Sequence, residues 1–86
     1  MNNSISADIN ILNIDRTYHV MVAMGSRGPM STYAFQNKGF MIEVLSRLGI
    51  TEDEINDAIV NYSTIHREKI DQRSFEIVLT PYAVRE

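Results

Sequence analysis

The side chains best suited to acid–base chemistry in this sequence are two histidines, His19 and His66. Histidine changes charge near neutral pH, so each is a candidate general base. Neither accompanies a Gly-x-Ser-x-Gly nucleophile elbow, and the chain contains no cysteine. His19 falls inside a predicted strand and His66 inside a charged segment, where packed or solvated histidines are common. We therefore predict no catalytic residues and no enzyme, with a small hydrolase using His19 as its base as the alternative.

Four carboxylates lie close together in the sequence, and oxygen ligands of this kind suit hard divalent cations. Their spacing does not follow that of a calcium-binding loop, and successive side chains at a helix start point in different directions. Negative charge is also favourable near a helix N-terminus because of the helix dipole. We predict no metal site and no cofactor, and we interpret these residues as an acidic face for a partner: Glu52, Asp53, Glu54 and Asp57.

The loop at residues 25–30 combines two glycines with a proline, which is typical of a chain reversal. It lacks the Gly-Lys-Ser/Thr of a phosphate-binding loop and leads into a predicted strand instead of a helix. Binding of a small anion by its backbone N–H groups and Arg27, in a sensor with a pocket at a dimer interface, is an alternative. Arginine and methionine are enriched at interfaces, so we predict Arg27 and Met30 as partner contacts.

A second alternative is nucleic-acid binding through a local basic patch formed by Arg67, Lys69 and Arg73. Glu68 and Asp71 interrupt this patch, and it contains no aromatic side chains on which bases could stack. The formal net charge of −3 also argues against a general affinity for phosphate backbones. A solvated connection over residues 66–73 is the interpretation we favour.

Alternating apolar and polar residues predict the strands that would position these groups. The first and last of them are candidate sheet edges, where a partner strand or a second copy could pair to form a homodimer. Pro81 ends the last strand, because proline cannot donate to a ladder. The predicted strands are Ala7–Ile14, Thr17–Met24, Ser31–Phe35 and Ser74–Thr80.

Apolar residues three and four positions apart predict two helices, Phe40–Leu48 and about Glu52–Thr64. A start of the first helix near Gln36, with Gly39 inside the helix, is an alternative that the sequence leaves open. Gly49 suits the left-handed conformation that often ends a helix. Thr51 is a good N-cap, and Glu54, three residues later, completes the pattern of a capping box. The sequence therefore predicts a helical hairpin in the middle of the chain.

With 86 residues, the chain is expected to form one domain over residues 1–86, with residues 1–6 disordered. Its N-terminus does not resemble a secretory signal, and no apolar run is long enough to span a membrane. Together with the missing cysteines, this predicts a cytoplasmic protein without membrane contact. The expected fold is α+β, an antiparallel sheet of three to four strands with a two-helix hairpin on one face, in the order β-β-β-α-α-β. The expected function is a small non-enzymatic protein-binding module of adaptor or inhibitor type.

Overall fold

The computed structural model describes residues 4–25 and 30–83, and within them four strands pair into one antiparallel sheet that three helices accompany. The strands β1 (Ser4–Ile14), β2 (Thr17–Met24), β3 (Met30–Phe35) and β4 (Ile65–Asp71) lie in the order β3-β2-β1-β4. The helices are α1 (Lys38–Ser46), α2 (Glu52–Asn61) and α3 (Gln72–Leu79), and a 3-10 turn, Thr80–Tyr82, follows. The expected α+β class and antiparallel sheet are confirmed, and the structure adds a third helix after the last strand.

The first two strands form a tight hairpin. Asp15 and Arg16 connect them, both with positive φ angles of 51° and 65°. Two left-handed residues in a two-residue loop match the right-handed twist of the flanking strands. The register runs from Ala7 opposite Met24 to Ile14 opposite Thr17, so the long hairpin sets which side chains share a face.

The predicted helical hairpin and its caps are confirmed, although α1 ends at Ser46 instead of Leu48 and α2 at Asn61 instead of about Thr64. Gly49 has a φ of 79°, and Thr51 and Glu54 form a capping box in both directions. Helix α1 begins two residues earlier than the predicted start at Phe40, because the Asn37 side chain caps it by accepting a hydrogen bond of 2.9 Å from the Phe40 N–H. These caps satisfy N–H groups that the start of a helix leaves without partners.

The hydrophobic core lies between one face of the sheet and the helices. Every buried strand residue lies on that face, in keeping with the two-residue period of a strand. The buried strand residues are Ala7, Ile9, Ile11, Val20, Val22, Met24, Tyr33, Phe35 and Ile65. The helices and their connections contribute Met41, Val44, Leu45, Ile50, Ile55, Ala58, Phe75 and Leu79.

The prediction of a final strand over Ser74–Thr80 is wrong, because this segment is helix α3 and the start of the 3-10 turn. Asp71 caps the helix by accepting a hydrogen bond of 3.1 Å from the Arg73 N–H. Phe75 and Leu79, four residues apart, are buried, whereas Ile77 is 67% exposed. A strand would have placed Ile77 on the same face as its two neighbours, so burial follows the helical period instead.

The prediction of a solvated connection over residues 66–73 is also wrong, since residues 65–71 form β4 and pair with β1. This strand escaped prediction because only Ile65 is buried along it, and charged side chains are what exposed edge strands commonly carry. β1 is consequently an interior strand and not the edge that we predicted. The edges of the sheet are β3 and β4.

Residues 1–6 were expected to be disordered; residues 1–3 lie outside the described residues, and the structure places residues 4–6 in β1. Ser4 lies opposite Asp71 and Ile5 opposite Ile70, and the register shifts between Ile5 and Ala7.

Among the described helices, none is long and apolar enough to cross a membrane.

Candidate functional site

The sheet face turned away from the helices carries side chains that the core does not bury. Cross-strand registers arrange nine of its side chains in three rows of three, which we call the open face. None of the nine is buried, and none is among the apolar side chains that pack against the core. The rows are Asp8, Ala23 and Met30; Asn10, Met21 and Thr32; and Leu12, His19 and Ala34.

More than half of the open-face residues are apolar, and none of the nine is lysine or arginine. Five of the nine residues are Met, Ala or Leu, and they include Met21 on the central strand β2 and Met30, which is 66% exposed. Methionine side chains are flexible and polarizable, so they adapt to irregular partner surfaces. Met30 is exposed and the other four apolar residues are half-buried, so they form a group of neighbouring accessible apolar side chains, a feature found at interaction sites.

The one acidic residue of the open face belongs to a cluster that the sequence did not predict. Asp8 Oδ1 lies 2.5 Å from His66 Nδ1, and Glu68 Oε1 lies 3.5 Å from His66 Nε2. The hydrogen bond with Asp8, and secondarily that with Glu68, raises the pKa of His66 above 6.5. The cluster was not predicted because residues 66–73 were interpreted as a solvated connection, so His66 and Glu68 were not placed in a strand beside Asp8.

This cluster does not support a general base at His66. Both ring nitrogens face carboxylates, so neither is placed to take a proton from a hydroxyl nucleophile. The two carboxylates lie on opposite nitrogens of the ring and cannot converge on one cation. Within residues 4–25 and 30–83, no group of three potential ligands is arranged to hold a metal ion.

Two residues from different predicted sites contact each other. The Arg67 guanidinium forms an ion pair with Glu54, and it also donates to the carbonyl oxygen of Gly49 at 3.2 Å. The Arg67 hydrogen bond, followed by that of the Thr51 backbone N–H, lowers the pKa of Glu54 to about 2. Arg67 therefore fastens β4 to the turn between α1 and α2, and both side chains have a structural role.

The other acidic residues of the predicted partner face lie on the helical side of the molecule. Glu52, Asp53 and Asp57 are exposed on α2, and Asn61 donates to Asp57 at 2.6 Å. Met30 instead lies on the open face, on the opposite side of the sheet. The structure thus separates Met30 from the carboxylates, and Arg27 lies outside the described residues.

The three predicted basic residues have different structural settings. Arg67 forms an ion pair with Glu54, while Lys69 lies in β4 with a positive φ of 58° and Arg73 lies at the start of α3.

His19, the other candidate base, lies on the open face between Leu12 and Ala34. These neighbours offer no acidic group to orient its ring.

Comparison with protein-family models, with curated proteins and with solved structures found no match to this chain. The functional argument therefore depends on the surfaces of the chain itself.

Proposed function

We propose that this chain is a small non-enzymatic protein-binding module, of adaptor or inhibitor type, that contacts a larger protein through its open face. The observation that carries the proposal is the uncovered, partly apolar sheet surface centred on Met21. A sheet presents its side chains from a rigid backbone, so the surface needs little ordering when a partner binds. A cytoplasmic location is part of the proposal, supported by a sequence without cysteine.

The chemistry of the open face favours a protein over a nucleic acid. Single-stranded nucleic acids bind to sheets through stacked aromatic side chains and basic groups. The open face has Met21, Ala23 and Ala34 where aromatic platforms would be needed, and its acidic residue, Asp8, repels phosphate. Nucleic-acid binding through Arg67, Lys69 and Arg73 remains the weaker alternative, because Arg67 already pairs with Glu54.

Exposed apolar residues on the helical side are a less suitable binding surface. Val60 and Ile77 are 72% and 67% exposed, but they lie on separate helices, α2 and α3. Single exposed hydrophobic residues are common on protein surfaces and require no functional explanation. The open face differs because its apolar residues are neighbours across three paired strands.

Homodimerisation by strand pairing is a further alternative that applies to the two sheet edges. β4 is rich in charged residues, which oppose edge-to-edge association, and Ala83 already pairs with Tyr33 on the outer side of β3. A small-anion sensor is the remaining alternative, and it depends on residues 26–29, which lie outside the described ranges.

Affinity capture from a lysate of the native host tests the proposal, using the wild type and an open-face variant, Met21→Lys with Ala34→Lys. We expect the wild type to retain a stoichiometric protein partner that the variant loses, because two buried charges would oppose an apolar interface. The matched control is Val60→Lys with Ile77→Lys, which adds the same charge to the helical side.

The control variant should retain the partner, and thermal melts should show that both variants remain folded. Equal capture by the open-face variant and the wild type would contradict the proposal. Recovery of nuclease-sensitive material alone would favour the nucleic-acid alternative.

A further inference from the structure

β4 is the least buried strand of the described sheet. It lies at an edge and pairs with β1 alone, and Ile65 is its one buried residue. The pairing is also irregular, because the register shifts between Ile5 and Ala7 and Lys69 has a positive φ of 58°. Residues other than glycine rarely adopt this backbone conformation. An irregular edge strand with little buried apolar area is expected to open more readily than the rest of the sheet.

Two side-chain contacts near β4 do not change around neutral pH. On the helical side of the sheet, Arg67 pairs with Glu54, and the Glu54 pKa of about 2 keeps this carboxylate ionised. Just before the strand, Thr64 accepts a hydrogen bond of 2.9 Å from the uncharged Asn10 side chain of β1. Neither contact can therefore make the pairing of β4 with β1 sensitive to pH in this range.

The contact on the open side of the sheet differs because it contains a histidine. His66 and Asp8 lie directly opposite each other in the register of β4 and β1, so their side chains share a face. His66 Nδ1 lies 2.5 Å from Asp8 Oδ1, and His66 Nε2 lies 3.5 Å from Glu68 Oε1. We call these three residues the His66 cluster. Because an ionised carboxylate only accepts hydrogen bonds, both ring nitrogens can bond to carboxylates only when the imidazole is protonated.

The charged groups that act on the His66 ring come from β1 and β4 alone among the described residues. They are Asp8 and Glu68, and they raise the pKa of His66 above 6.5. Helices α2 and α3 pack against the other face of the sheet. The Arg67 guanidinium donates to the backbone carbonyl of His66 at 3.1 Å and not to its ring. Loss of the His66 proton therefore leaves two carboxylates beside a neutral ring, with no cation in its place.

We infer that the His66 cluster is a pH-dependent contact, which stabilises the pairing of β4 with β1 while His66 is protonated and weakens when the proton leaves. Deprotonation removes the charge of the ring and one of its two hydrogen-bond donors. The contribution is complete below pH 6.5 and disappears as the pH rises through the raised pKa of His66. Local opening of β4 should therefore become more frequent as the pH rises.

The same proton changes the charge at the margin of the open face. Asp8 is the acidic residue of that face, and protonated His66 places a positive charge beside it. Above the pKa of His66 this charge is lost, so the β1 side of the open face becomes more acidic at the pH at which β4 opens. The cluster thus couples the charge of the proposed binding surface to the pairing of β4.

Hydrogen–deuterium exchange of backbone amides, followed by NMR on the full chain between about pH 5.5 and 9, tests the inference. Protection factors correct for the intrinsic effect of pH on exchange. They are compared between residues 65–71 and the pairing of β2 with β3, residues 18–23 and 30–35. As the pH rises, we expect the relative protection of residues 65–71 to fall about two- to fivefold, the range for one exposed charge pair.

Two variants assign this fall to the cluster. His66→Gln keeps a hydrogen-bonding side chain that takes up no proton, so the fall with pH should disappear. Asp8→Asn should reduce the fall, because Asp8 makes the largest contribution to the raised pKa of His66. The matched control, Asp15→Asn in the β1–β2 turn, should leave the fall unchanged.

Three outcomes would overturn the inference. Protection of residues 65–71 that does not change with pH would show that the cluster does not stabilise the strand pairing. An equal fall in the pairing of β2 with β3 would show that His66 affects global unfolding alone. A fall that persists in His66→Gln would assign the pH dependence to another group. The chain is measured without a partner, so failure of the proposed function is distinguishable from each of these results.

Discussion

At the residue scale, the contact between Arg67 and Glu54 explains why two predicted binding residues serve the fold. The side chains are 27% and 34% exposed, so solvent weakens their attraction less than at a fully exposed pair. Arg67 also donates to Gly49, and Glu54 also caps α2 through Thr51. A single cluster therefore joins β4, the interhelical turn and the start of α2.

Replacing Arg67 with methionine keeps the apolar stem and removes the charge. We expect Arg67→Met to lower the free energy of unfolding by about 1–2 kcal/mol, between the values for exposed ion pairs and for hydrogen bonds to charged groups. Urea unfolding measures the change, and Arg73→Met, at an exposed position on α3, should change stability by less than about 0.5 kcal/mol. Equal effects of the two substitutions would contradict the structural role of Arg67.

The low pKa of Glu54 gives this contribution a defined pH dependence. A carboxyl group whose pKa is lower in the folded state stabilises the fold above its unfolded pKa, here 4.5, and loses that effect as the pH falls through the folded pKa of about 2. The difference in stability between the wild type and Arg67→Met should therefore be constant above pH 5 and shrink between pH 4.5 and 2. A difference that stays constant down to pH 3 would contradict the assignment.

The raised pKa of His66 predicts the opposite pH dependence. Its pairing with Asp8 stabilises the folded state fully below pH 6.5, and the effect disappears as the pH rises through the folded pKa. In an NMR titration, Asp8→Asn should move the His66 midpoint down toward 6.5, whereas Asp15→Asn, in the β1–β2 turn, should leave it in place. An unchanged midpoint in Asp8→Asn would show that Asp8 does not stabilise the protonated form of His66.

At the element scale, the burial of individual residues in α3 distinguishes a helix from the strand that was predicted for this segment. Leu79 is fully buried and Ile77 is 67% exposed. Leu79→Ala should cost about 2–5 kcal/mol as a core truncation, whereas Ile77→Ala should change stability by less than about 0.5 kcal/mol. Chemical denaturation of both variants measures the difference. A similarly large decrease in the free energy of unfolding in both variants would contradict the helix and support the predicted strand.

The sequence of this segment is compatible with both structures, which is why it could not be assigned. Phe75, Ile77 and Leu79 alternate as in a strand, while Phe75, Val78 and Leu79 have helical spacing. The pairing of β4 with β1, which ends at Asp71, depends on tertiary structure and could not be predicted, whereas the cap that Asp71 provides to α3 is a local signal that the strand prediction overlooked. β4 itself could not be recognised because it is a charged edge strand with little apolar alternation.

The helical hairpin, by contrast, could be predicted closely because its signals are local. Gly49, Thr51 and Glu54 act within one turn of the chain, and their roles do not depend on distant residues. The candidate site was less predictable. Met30 was identified from its residue type, but the open face exists only once β1, β2 and β3 are paired in register.

At the scale of the whole molecule, placing all three helices on one side of the sheet leaves the other side available. The apolar strand residues that the helices bury supply the core, and the residues between them on the same strands form the open face. Antiparallel sheets commonly have one solvated face, usually polar. Here five of the nine open-face residues between β1 and β3 are apolar, which is the basis of the proposed function.

Site-specific photo-crosslinking in the native host tests this claim most directly. A photoreactive residue is placed at Ala34 on the open face or, as the matched control, at Ile77 on the helical side. We predict one discrete crosslinked protein from the Ala34 position and none of that species from Ile77. The same crosslinked protein from Ile77, with none from Ala34, would contradict the assignment of the open face as the binding surface.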